Sequence, residues 1–89
     1  MIDTQKYPRY YVVLVGGKGS DWAPVRNPGF VRGTSQPAWR EPEHHMTLED
    51  ATRTLDGVHL PGGRGRVVEK HLGLAGGEKI VRRRTWSKP

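Results

Sequence analysis

The sequence predicts an α+β fold: a small antiparallel sheet of three to four strands, with one short helix packed on one face, in the order β-β-α-β-β. Three observations lead there. Residues Arg9 to Val15 are rich in aromatic and β-branched side chains and stop at Gly16-Gly17. Thr47 to Gly57 carries the start and stop signals of a short helix. Two segments, Arg66 to Leu72 and Lys79 to Trp86, follow it with period-two alternation.

The first strand is the most apolar stretch, and Gly16 to Asp21 forms its loop. A weaker strand is expected around Trp22 to Arg32. Pro24 and Pro28 interrupt it and confine it to an edge or split it. Gly33 to His45 reads as irregular chain, with Gly33, Pro37 and Pro42 as turn formers and Trp39 as its anchor to the core.

The helix begins at Thr47, with Asp50 three residues on in a capping-box pattern. Met46 and Ala51 fit the hydrophobic staple, and Glu49 and Asp50 meet the positive end of the helix dipole. Leu48, Ala51, Leu55 and Val58 share one apolar face. Gly57 suits a left-handed residue after the last turn. At about two and a half turns, such a helix is held by packing rather than propensity.

In the third strand Val68, Lys70 and Leu72 share one face, and Val67, Glu69 and His71 the other. Gly73 to Gly77 connects it to the last strand. There Ile80, Arg82, Arg84 and Trp86 point one way, and Val81, Arg83 and Thr85 the other. Each face carries arginine, so neither can be buried throughout. The strand is an edge, or its second half leaves the sheet.

The 89 residues make a single small domain, 1–89, with the last few residues expected to be disordered. Hydrophobic residues are 34% of the chain, a low share for a globular domain, and Gly 12 and Pro 7 enlarge the loops. The core must therefore lean on Trp22, Trp39, Trp86, Phe30, Tyr7, Tyr10 and Tyr11.

Charge is unevenly placed. Gly62 to Pro89 holds eight cations and two anions, an excess equal to the net charge of +6 for the whole chain. The first 61 residues are neutral. A basic end on a neutral body, with a pI near 10.2, points to an anionic partner.

The candidate site is Arg64, Arg66, Lys70, Lys79, Arg82, Arg83, Arg84 and Trp86. Arginine holds phosphate through a bidentate fork, and an indole stacks on a base or a guanidinium. The leading expectation is nucleic-acid binding, DNA or RNA, through phosphates and largely independent of sequence. Engaging about four to six phosphates gives a log–log salt slope of roughly −4 to −5. Trp86 is expected to pack on the helix or under Arg84, with contact to a partner as the alternative. The alternative function is an accessory, an inhibitor or adaptor, that binds a partner protein through its sheet edge and Trp86; the alternative partner of the basic segment is an acidic protein. A solvated edge that only prevents aggregation is the plainest reading of the same arginines.

Other chemistry is argued against. The absence of cysteine excludes a disulfide scaffold and cysteine-ligated zinc. The loop Gly16-Gly17-Lys18-Gly19-Ser20 lacks the P-loop spacing: Val12 and Gly19 stand where a glycine and a Ser or Thr are required. Gly63-Arg64-Gly65 fails the dinucleotide pattern, because Val68 replaces its third glycine. His44 and His45 point opposite ways on extended chain, and His59 and His71 lie elsewhere, so no metal is expected.

Ser20, Ser35 and Ser87 have no nucleophile-elbow context. Glu69 and Lys70 fall on opposite faces of a strand, unlike a nuclease Glu-x-Lys pair. A non-enzymatic binding protein without cofactor is expected. No apolar run is long enough to span a bilayer and no secretory pattern opens the chain, so a complete, soluble cytoplasmic protein is expected.

An N-terminal aromatic strand, a Trp-bearing loop, Thr47-Leu48-Glu49-Asp50-Ala51 opening a helix, and Val67-Val68-Glu69-Lys70 as a strand form a succession. It resembles small orphan accessory proteins of bacteriophages and prophages, over about half of the chain. The resemblance implies a non-enzymatic accessory that binds host or phage macromolecules in the host cytoplasm. It carries over no functional residue.

Overall fold

The apolar run at the start of the chain becomes the centre of the sheet. In the computed structural model, which describes residues 8–17, 21–31, 33, 37–74 and 76–88, five elements follow one another. They are β1 (Arg9–Gly16), β2 (Ala23–Pro24), α1 (Leu48–Asp56), β3 (Arg64–His71) and β4 (Lys79–Thr85). The strands form one antiparallel sheet in the order β2-β1-β3-β4, with a single helix on one face.

β1 is flanked on both sides, which is why it reads as continuously apolar. It pairs with β3 along its whole length, and Val12↔Val68 and Val13↔Val67 are its central partners. Such β-branched cross-strand pairs stabilise a ladder by packing side chain on side chain.

The weak second strand shrinks to two residues, Ala23 and Pro24, paired with Val15 and Leu14. Pro24 has no N–H to extend the ladder. The rest of the expected strand is irregular. Asn27 organises it, donating from Nδ2 to the His44 carbonyl and accepting the Gly29 N–H on Oδ1. Arg32, residues 34–36, the loop residues Lys18 to Ser20, Ala75, Tyr7 and the terminal Pro89 lie outside the described residues. Just before that terminus, Ser87 accepts a hydrogen bond from the Gly62 N–H.

The helix starts as its sequence dictates. Thr47 has extended φ and ψ of −131° and 152°, and its hydroxyl accepts the Asp50 N–H at 3.1 Å. Its end differs from expectation. Gly57 is right-handed, with φ −82°, and its N–H bonds back to the Arg53 and Thr54 carbonyls. Chain direction then changes without a left-handed residue at this position.

The core lies between the helix and one sheet face. Tyr11, Val13, Ala51, Leu55, Val67 and Trp86 form it, and Val15, Val25, Leu48, Val58, Leu60 and Val81 pack around them. Trp86 is 8% exposed and takes the centre of this layer, in line with packing on the helix. Gly65 makes room for it. A β-carbon there would come within 2.5 Å of Leu55 Cδ1 and 2.7 Å of Trp86 Cη2. The other expected anchors, Trp22 and Trp39, stand outside this cluster. Trp39 instead groups with Tyr10 and His44, whose rings stack at 4.0 Å.

Two histidines carry structure that the sequence pattern did not announce. His45 is fully buried. Its backbone exchanges two hydrogen bonds with Tyr11, a bridge that covers the open side of β1 beyond β2. Its ring spans from sheet to helix: Nδ1 lies 3.4 Å from the Tyr11 carbonyl, and Nε2 lies 2.8 Å from Thr54 Oγ1. A carbonyl can only accept, so Nδ1 carries the proton and the Thr54 hydroxyl donates to Nε2. In His44, Nδ1 accepts the Glu41 N–H at 3.2 Å. Burial lowers both pKa values below the ordinary 6.5, which favours the neutral form of both rings.

Two outcomes test this packing. Gly65→Ala should lower stability by about 1–3 kcal/mol through overpacking against Leu55 and Trp86, read from urea unfolding midpoints. A neutral effect would mean that the indole is not seated there. Acid should also weaken the fold. With the folded pKa values below 6.5, the unfolded chain takes up protons first. Stability is therefore full above about pH 6.5 and falls below it, by up to about 1.4 kcal/mol per pH unit for each histidine. Urea midpoints that stay constant from neutral pH down to pH values well below 6.5 would contradict the neutral assignment.

Candidate functional site

The direction of each basic side chain follows from the ladder. The Val13 carbonyl accepts from Val25, so the backbone of Val13 faces β2 and that of its partner Val67 faces β4. Val67↔Arg82 and Gly65↔Arg84 are then hydrogen-bonded pairs, and Arg66↔Arg83 between them is a non-hydrogen-bonded pair. The bond from the Trp86 N–H to the Gly63 carbonyl fits the same alternation. Non-hydrogen-bonded partners sit closer, with Cα atoms about 4.5 Å apart. Two guanidinium groups therefore leave one sheet face from the tighter kind of pair.

That face is the one turned away from the helix. Arg64 lies beside Arg66 on it, opposite Thr85. Trp22 completes the group. Its indole rests on Gly16, within 3.4 Å of where a β-carbon would stand, and Gly16 is the partner of Arg64. The Arg66 guanidinium lies 3.9 Å above the Trp22 ring centroid and that of Arg64 at 5.4 Å. Arg66 is half-buried, and its Nε is buried with no hydrogen-bond partner among the described residues. Among those residues, neither Arg66 nor Arg83 forms an ion pair. Like charges directly opposite destabilise a sheet. Here the pair is retained, and stacking on the indole offsets part of its cost.

The remaining predicted residues do not join this group. Arg82 and Arg84 alternate onto the helix side. Arg84 donates to Asp56 Oδ1 at 2.8 Å and lies over the Trp86 ring at 5.4 Å. Arg82 lines a shallow hollow against Leu48, Thr52 and Asp56. Lys79 pairs across from Glu69, also on the helix side. Lys70 shares the face of Arg66 but sits opposite Tyr10 and is bridged to Glu78 at 3.0 Å. Trp86 is buried in the core. The arginines Arg64, Arg66 and Arg82 to Arg84 therefore do not share one surface. Strand alternation divides them, and Asp56 and Glu78 engage two of the cations.

A β-bulge also alters the expected faces of β4. The register shifts between Val67 and Val68, so Ile80 stands opposite Val68 while Val81 joins the core. Trp22 was missed as a site residue, because its position depends on the register of the β1–β2 hairpin. Pairing of Val15 with Ala23 is the signal that sets Trp22 across from Gly16.

Among the described residues, no group of three or more His, Cys, Asp or Glu side chains is arranged to hold a metal ion. No helix among them is long and apolar enough to cross a membrane. No protein-family model, curated protein or solved structure matches the chain.

The opposed arginines give a direct outcome to measure. Arg83→Thr should raise stability by about 0.2–1 kcal/mol at low salt by removing the repulsion from Arg66. Screening should shrink that gain at high salt. No gain at low salt would show that the two groups do not oppose each other.

Proposed function

We propose that this protein binds nucleic acid through its phosphates on the sheet face remote from the helix, with Arg64, Arg66 and Arg83 as the contacting side chains. One observation carries the reading: a cross-strand arginine pair, one member stacked on an indole, without an internal counter-ion among the described residues. A phosphate placed between Arg66 and Arg83 accepts from both and removes their repulsion. Stacking on Trp22 holds the Arg66 plane and lowers the entropy lost when its fork engages an oxygen pair. The exposed Arg83 supplies a second fork.

Phosphates carry no base identity, so this contact positions a strand without reading it. It is binding without catalysis and fits a non-enzymatic accessory role. The footprint is smaller than charge counting implies, because Arg84 and Lys70 are engaged by carboxylates and Arg82 faces the helix side.

Anisotropy of a labelled oligonucleotide across a salt series tests the reading. About three phosphates give a log–log slope of roughly −2 for a single strand and roughly −3 for a duplex. The double substitution Arg66→Gln with Arg83→Gln should flatten the slope by about 1.4 to 1.8, while Arg84→Gln leaves it nearly unchanged. Absence of binding at low salt, or equal losses from all three substitutions, ends the proposal.

A further inference from the structure

β4 is the long open edge of this sheet. At the opposite margin β2 covers Leu14 and Val15, Val25 bonds to the Val13 carbonyl and His45 bridges Tyr11, so little of β1 is left to pair. β4 by contrast runs seven residues with no strand beyond it among the described residues. Its alternation is known from the ladder: Arg82 and Arg84 bond inward to β3, so the N–H and C=O groups of Arg83 and Thr85 point away from the sheet. Among the described residues, none of these four groups has a backbone partner. Such a row is a template for an added strand.

The side chains choose the occupant. Arg82, Arg83 and Arg84 are exposed along this edge and project to both faces of the sheet. A second copy of β4 would set arginine against arginine, which like-charge repulsion disfavours. A neutral strand would bury those charges without compensation. An extended segment carrying consecutive carboxylates satisfies both the backbone row and the guanidinium forks, on both faces at once. The half-buried Ile80 and Val81 at the start of the edge add an apolar step beside it.

We infer that β4 accepts an extended acidic peptide by strand addition, with the backbone of Arg83 and Thr85 supplying hydrogen bonds and Arg82 and Arg83, on opposite faces, selecting carboxylates. The arginines then act as a filter: they repel self-pairing and neutral strands and admit an acidic one. The inference stands on backbone direction at the edge and shares with the phosphate site on the face the Arg83 side chain.

The probe is a capped peptide of about seven residues, the length of β4, with three consecutive glutamates flanked by valine and threonine. Titration followed by amide hydrogen exchange is expected to show saturable binding with slowed exchange at Arg83 and Thr85. N-methylation of the peptide at alternate residues keeps its charge and removes its inward donors. It should weaken binding about tenfold or more, the worth of one or two hydrogen bonds. Thr85→Pro removes an outward N–H and no charge, at an edge position that tolerates proline. It should weaken the peptide similarly, while affinity for an oligonucleotide stays at the wild-type value. Equal binding of the N-methylated peptide, or binding without protection at Arg83 and Thr85, would reduce the contact to ion pairing and overturn strand addition. A concentration-dependent dimer in sedimentation that displaces the peptide would overturn the choice of occupant. If Thr85→Pro loses both ligands, its circular dichroism separates unfolding from a shared site, and Arg83 amide protection by the peptide in the wild type then decides.

Discussion

The seat of Trp86 over Gly65 sets the arrangement of the whole C-terminal half. The indole fills the space that a β-carbon at position 65 would take and contacts the inner face of the helix at Leu55. Once Trp86 faces the helix, strand alternation sends Arg84 and Arg82 to the same side and Arg83 to the other. The triplet of arginines is thereby split by a packing constraint two residues away. The bulge at Val81 lets the strand bury one more aliphatic without changing that parity. Burial of one large aromatic thus decides where charge can appear.

The consequence for charge is selective. On the helix side the arginines meet Asp56 and the helix flank, and Arg84 is drawn into an exposed ion pair of small energetic worth. On the remote side Arg66 and Arg83 face each other across the tighter kind of pair, with an indole beneath one of them. The same alternation that divides the basic segment leaves one group of arginines on the remote face and one cationic edge. These are two distinct devices, one built from side-chain forks on a face and one from backbone groups at a margin.

The neutral N-terminal two-thirds supplies the support. β1 lies in the middle of the sheet, and His45 joins its free side to the helix through a neutral ring. Asn27, Arg40 and His44 tie the irregular segment together, with two of its donors converging on the His44 carbonyl. A domain with few aliphatics here uses buried polar groups as internal ties. That choice links its stability to proton activity, since a buried imidazole resists charging.

Local signals were sufficient wherever the chain's own neighbours set the outcome. The strand from Arg9, the cap at Thr47 and the alternation from Arg82 to Trp86 follow from residue type and spacing, and so does the fold class. Edge placement of β4 was legible because arginine on both faces forbids burial. The handedness at Gly57, the bulge at Val81, the ring bridge of His45 and the partnership of Trp22 with Arg66 were not legible. Each depends on a residue distant in the chain: a hairpin register, a helix crossing a sheet, or an indole needing a glycine opposite. Composition determined how much positive charge this protein carries and in which third of the chain. Tertiary structure alone decided which of those charges meet, because period-two alternation assigns each side chain a face only after the core has chosen which face is inside.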